Sequence, residues 1–111
     1  MNNFKNQKCK PCSTKTPKME NSEIRKNLFL LNNWALNDSK DMIYKKFKFK
    51  NFSDSLNFVN LVGALAENEG HHPDISLGYG YCLIMIHTHA IKGLSLNDFI
   101  LATKIDTINL D

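Results

Sequence analysis

The sequence sets two adjacent histidines, His71 and His72, between Gly70 and Pro73, and two more, His87 and His89, shortly downstream. All four histidines of the 111-residue chain thus fall between positions 71 and 89. Imidazole, with an ordinary pKa of about 6.5, gives or takes a proton near neutrality, so such a cluster points to general acid–base chemistry. Neutral imidazoles are also common metal ligands, and Glu67, Glu69 and Asp74 stand close enough in sequence to complete a site. No His-Glu-x-x-His or other short metal signature occurs, so spacing alone leaves both chemistries open.

The thiols offer less. Cys9 and Cys12 have the C-x-x-C spacing of redox motifs and half zinc sites, but no strand precedes them. The remaining thiol, Cys82, lies in a predicted apolar strand that would keep it protonated and a poor nucleophile. A four-ligand zinc site would have to draw on the distant histidines. An odd cysteine count without framework spacing argues against a secreted disulfide scaffold. No G-x-G-x-x-G, Walker or G-x-S-x-G pattern is present, which removes the usual warrants for nucleotide binding and serine hydrolysis.

The elements that must position the histidines follow from periodicity. Ile24, Leu28 and Leu31 recur at helical spacing over residues 22–32 behind Ser22 as the expected cap. Trp34 and Leu36 suggest a short strand, joined through the turn-prone Asn37–Lys40 segment to a second strand within residues 41–50. In that second strand Ile43, Phe47 and Phe49 alternate with Lys46, Lys48 and Lys50, so one face is wet. A helix opening at Ser53 carries Phe58, Leu61 or Val62, and Leu65, and stops at Gly70. Pro73 then pushes His72 toward extended backbone, where neighbouring side chains point in opposite directions. The two adjacent rings are therefore expected to do different work.

Ile75, Leu77 and Tyr79 alternate next, Gly80 and Tyr81 are expected to turn, and residues 82–89 read as a long strand, apolar on both faces, so both faces are expected to be covered, with a partner subunit as one candidate cover. His87 and His89 share one face of it, and the hairpin returns them toward His71 and His72. Ser95 and Asp98 form a capping pattern that opens the last helix. The expected class is α+β, in the order α-β-β-α-β-β-α, with a four-stranded antiparallel sheet and helices packed on it.

Charge divides the chain. Five of the fourteen basic residues and none of the eleven acids lie in residues 1–19, which leaves nine against eleven in residues 20–111. The basic character belongs to the first segment, expected to be a solvated tail, and residues 20–111 are expected to form one domain. A mildly acidic domain gives no reason to expect direct nucleic-acid binding. With no long apolar run and no signal-peptide core, the expected location is cytoplasmic, away from membranes.

The stretch from His71 to Asp98 resembles the signature of the pterin-4a-carbinolamine dehydratases: His71-His72-Pro73, an aromatic at Tyr79, Thr88-His89, and Gly93-Leu94-Ser95 followed by Asp98. The similarity extends over roughly residues 22–105, and Lys8–Cys12 is similar to tails of bacterial members. This resemblance implies three helices on one face of the sheet, and a hydro-lyase that converts 4a-hydroxytetrahydropterin to quinonoid dihydropterin and water in tetrahydropterin recycling. It implies no metal or organic cofactor, a reduced pterin as substrate, and a homodimer or homotetramer. By position it assigns His71 and His89 to proton transfer, and His72, Pro73, Tyr79, Thr88 and Asp98 to substrate binding. For Asp98 the capping role is already a complete structural explanation. Two departures stand out: Ile75 replaces a frequent aromatic, and His87 a commonly small polar residue. Some members serve as dimerisation cofactors of transcription factors, so a non-catalytic interaction module on the same fold is the alternative.

Overall fold

The computed structural model describes residues 4–110. Its elements are α1 (Asn21–Phe29), β1 (Ala35–Leu36), β2 (Ile43–Lys48), α2 (Phe52–Glu69), β3 (Asp74–Gly78), β4 (Tyr81–Ile86) and α3 (Leu96–Asp106). The four strands pair antiparallel in the order β1-β2-β4-β3, as the expected class requires.

Pairing fixes which residues face the helices. Ile43, Lys45 and Phe47 of β2 stand opposite Ile86, Ile84 and Cys82 of β4, and those stand beside Ile75 and Leu77 of β3. These apolar residues meet Phe58 and Val62 of α2 and Phe99, Leu101 and Ile105 of α3 in one core. Burying each such side chain contributes roughly 1.5–3 kcal/mol, which is what pins the register. Lys45 is the exception on this face, and its ammonium is satisfied by Asp106 at 2.8 Å, which also accepts from Trp34 Nε1 at 2.9 Å.

The opposite face carries Tyr44, Lys46 and Lys48 beside Leu83 and Met85. Leu83 and Met85 are half-buried, and Lys46 lies over the Tyr81 ring at 4.9 Å. Neighbouring side chains of the same strands thus provide part of the cover expected from a partner.

Several local expectations are corrected. Glu20, not Ser22, precedes the first turn of α1, and the helix ends at Phe29, with left-handed backbone at Asn33 soon after. α2 is capped by Asn51 rather than Ser53, Asn51 Oδ1 accepting from Asp54 N–H at 2.7 Å. Tyr79 and Gly80 form the hairpin turn and Tyr81 already belongs to β4. β4 stops at Ile86, because Thr88 leaves the ladder to bridge with Gly93.

The first segment is corrected as well. Instead of standing free in solvent, residues 4–12 lie against α3: Phe4 is buried with its ring 6.2 Å from that of Phe99, and Cys9 is buried. Asn97 brackets Lys10, its Oδ1 accepting from the Lys10 N–H at 3.0 Å and its Nδ2 donating to the Lys10 carbonyl at 2.6 Å. Lysines 5, 8 and 10 stay exposed. Charge was therefore a fair guide to most of the segment and blind to its two anchors. Among the described residues no helix is long and apolar enough to cross a membrane.

Candidate active site

α2 delivers the first histidines. Gly70 closes it in the left-handed conformation, φ 69°, which costs glycine little. His71 follows immediately, its N–H still donating to the Ala66 carbonyl at 3.3 Å. The chain then extends through His72 and Pro73 into β3, and the two rings diverge as alternation demands. His71 turns inward and is 7% exposed; His72 is exposed and pairs with the Glu67 carboxylate.

A buried network holds His71. Its Nε2 is 2.6 Å from Asp98 Oδ1, while Asp98 Oδ2 accepts from the Thr88 hydroxyl at 2.8 Å and the Ser95 N–H at 2.9 Å. The Thr88 and Ser95 hydroxyls are 2.7 Å apart, so Ser95 can donate to Thr88 while Thr88 donates to Asp98. A carboxylate accepts on both oxygens, which places the proton on His71 Nε2 and leaves Nδ1 as its remaining basic nitrogen. The expected capping box at Ser95 and Asp98 is present, and the same Asp98 carboxylate is the anchor of the histidine.

A cleft of ≈ 210 Å³ opens over this network, lined by Cys12, Gly70, His71, His72, Thr88, His89 and Ala90. The hairpin does return His89 to His71 and His72, though from the single turn His89–Ile91 and not from the strand. Thr88, 1% exposed, reaches the cleft wall, while Asp98, 0% exposed, lies outside the lining and supports His71 from beneath. Pro73 is half-buried and outside the cleft lining. Tyr79 is not brought to this cleft: it is 75% exposed at the hairpin tip, beyond the far end of β3 from Asp74. At about 3.3 Å per residue that is roughly 16 Å of strand.

Three contributors escaped sequence reasoning. Cys12 reaches the cleft because Asn97 holds the first segment, with Asn97 Nδ2 3.0 Å from Cys12 Sγ. Glu67 was considered only as a possible metal ligand, not as the partner of His72, and Ser95 only as a cap. The other thiols sit apart from this chemistry. Burial pushes Cys82 up to about 11 and, with Glu69 beside it, Cys9 up to about 12. Burial alone would raise the Glu69 carboxyl, but the Cys9 N–H at 2.9 Å and Lys104 at 2.7 Å outweigh it and hold it below its ordinary value.

Paired acid–base side chains over a small cleft suit a proton-coupled elimination or addition. Comparison with known proteins identifies the family. The family model described as pterin 4 alpha carbinolamine dehydratase matches residues 17–108. A protein of Halorhodospira halophila that bears the family name pterin-4-alpha-carbinolamine dehydratase is 48% identical over 100 residues, 90% of this chain and 92% of that one. A crystal structure described as a transcriptional coactivator/pterin dehydratase from Brucella melitensis superimposes with a TM-score of 0.77 at 29% identity, covering 81% of this chain and 96% of that one. A pterin dehydratase-like protein, described as a RuBisCO assembly factor in the alpha-carboxysome, shares the fold, with a TM-score of 0.58 at 24% identity over 68% of this chain and 87% of that one. The chain belongs to the pterin-4a-carbinolamine dehydratase family.

Proposed function

We propose that the protein dehydrates 4a-hydroxytetrahydropterin to quinonoid dihydropterin, using His71 and His89 for proton transfer and His72 to bind and orient the pterin. The observation that carries this reading is the convergence of the three histidines on one cleft, with His71 locked to Asp98. In a carbinolamine the nitrogen beside the hydroxylated carbon expels the hydroxyl: the C–O bond breaks, a C=N bond forms, and the nitrogen gives up its proton. The departing oxygen must gain a proton to leave as water, so one group donates while another accepts. His71, protonated at Nε2 by its bond to Asp98, offers Nδ1 as the acceptor. His89, exposed at the mouth, serves as donor. Asp98 and Thr88 are positioning residues: they fix the tautomer and orientation of His71, the service a buried aspartate gives a catalytic imidazole elsewhere.

The reaction runs with no metal or organic cofactor in this reading and belongs to tetrahydropterin recycling in the cytoplasm. Residues 20–111 form the catalytic domain together with the packed segment 4–12, whose Cys12 lines the cleft, and the chain works as a homodimer or homotetramer. A non-catalytic interaction role is the competing reading, supported by the coactivator description of the Brucella protein.

Stopped-flow absorbance of 4a-hydroxytetrahydropterin decay tests the proposal. Wild type should accelerate decay, and His71→Ala and His89→Ala, shown folded by circular dichroism, should each lose roughly 10²–10⁴-fold of the acceleration. A wild-type rate no faster than the spontaneous one would eliminate the enzyme and favour the interaction module.

A further inference from the structure

The outer end of the hairpin gathers a second cluster, of which the proposed dehydration uses one member. Asp74 pairs with Met85, so both side chains leave the sheet on the face away from the helices. His87, two residues past Met85, continues on that face and lies diagonally across from Asp74. Thr88 then turns inward to Gly93 and Asp98, and the turn at His89–Ile91 swings His89 back over His87. The two rings end 4.1 Å apart between centroids, inclined by 57°.

One ligating atom from each of Asp74, His87 and His89 lies within 4.8 Å of the other two. His87 Nδ1 is buried and, among the described residues, has no hydrogen-bond partner. Leaving such a nitrogen unsatisfied costs about 1–3 kcal/mol, and nothing in the fold requires an imidazole there. Two imidazole nitrogens and a carboxylate are the donor set of a borderline transition cation, whereas magnesium and calcium prefer oxygen throughout.

We propose that Asp74, His87 and His89 form a binding site for a divalent first-row transition cation of the zinc type. Tetrahedral zinc at about 2.0–2.1 Å from each donor needs ligand atoms roughly 3.4 Å apart. The cluster must therefore contract somewhat, and the exposed Asp74 and His89 supply the movement while half-buried His87 fixes the centre. Three protein ligands leave one coordination position for water or an incoming molecule. His89 also lines the cleft, and a bound cation occupies the nitrogen lone pair that must take up a proton before the ring can act as donor. On the dehydratase reading, on which this last consequence rests, the cation inhibits.

The test is calorimetric titration of the full chain, purified without a polyhistidine tag, with Zn(II), repeated with Co(II) while following its visible absorption. One cation per chain should bind. His87→Ala and Asp74→Ala should each weaken it more than about 100-fold, beyond the roughly 10–100-fold cost of losing an outer contact. A Cys9→Ser/Cys12→Ser double variant should titrate like wild type. Asp74 is exposed, so its variant remains informative even where His87→Ala folds poorly. No saturable binding, binding that survives both variants, or binding lost only in the cysteine variant overturns the site. Zn(II) added to the dehydration assay should slow wild type and spare Asp74→Ala. A chain that gives no acceleration with or without zinc sinks the dehydratase instead, activation by zinc overturns the inhibition, and the titration still decides the cation site.

Discussion

His71 and His72 are consecutive in sequence and occupy opposite environments. His71 is buried against a carboxylate that is itself held by Thr88 and Ser95, so each group in the network restrains the next. His72 is exposed, and its partner Glu67 is exposed too. A packed and satisfied network of this kind holds a buried ring to within a few tenths of an ångström. A ring that orients a substrate gains from freedom to follow it. One step of extended chain after a glycine stop therefore separates a restrained ring from an exposed one.

The contrast breaks most severely at Asp98. Asp98→Ala strands three donors, the His71 ring N–H, the Thr88 hydroxyl and the Ser95 N–H, at about 1–3 kcal/mol apiece less what relaxation recovers, and removes a helix cap. A loss of about 3 kcal/mol or more is expected in urea unfolding. Asp98→Asn keeps the shape but replaces one acceptor with a donor. Its kcat should fall roughly 10²–10⁴-fold with KM little changed, and a rise in KM alone would show that His71 is not positioned by this contact.

Smaller effects follow from Glu69, buried like Asp98 but outside the cleft lining. Its folded pKa is depressed, so its contribution to stability is complete above the unfolded value of about 4.3 and is lost as pH falls through the folded value. Thermal melts from pH 6 to pH 3 should show wild type losing stability more steeply than Glu69→Gln. Parallel slopes would mean that other carboxylates dominate acid unfolding.

The exposed side should yield least. Glu67→Gln should change stability by less than about 1 kcal/mol, since both partners are solvated. His72→Ala should raise KM more than it lowers kcat. A kcat collapse equal to that of His71→Ala would erase the distinction between the two rings.

How much of this was legible in the sequence depends on distance along the chain. The strands, the Gly70 stop and the divergence of His71 from His72 are local, and periodicity and backbone preference foretold them. The histidine cluster was legible because its members lie on one helix exit and one hairpin. The Asp98 contact was not, since 27 positions separate it from His71 and its capping role already accounted for it. Tyr79 was placed by resemblance, which gives no distance, and the length of β3 carries it away from the cleft. Residues 4–12 were misjudged because their anchors are single residues without a period, meeting Glu69 and Asn97 across separations of 60 and 87 positions.

Those separations bear on how the molecule is made. The segment from Phe4 to Cys12 emerges from the ribosome long before Asn97, whose side chain holds Lys10, and before Phe99, on which Phe4 rests. One wall of the cleft thus waits, while the residues between Cys12 and Asn97 are made, for its counterpart to be synthesised. The cleft can acquire that wall only once α3 has been made, so a segment synthesised well before α3 depends on it for its place.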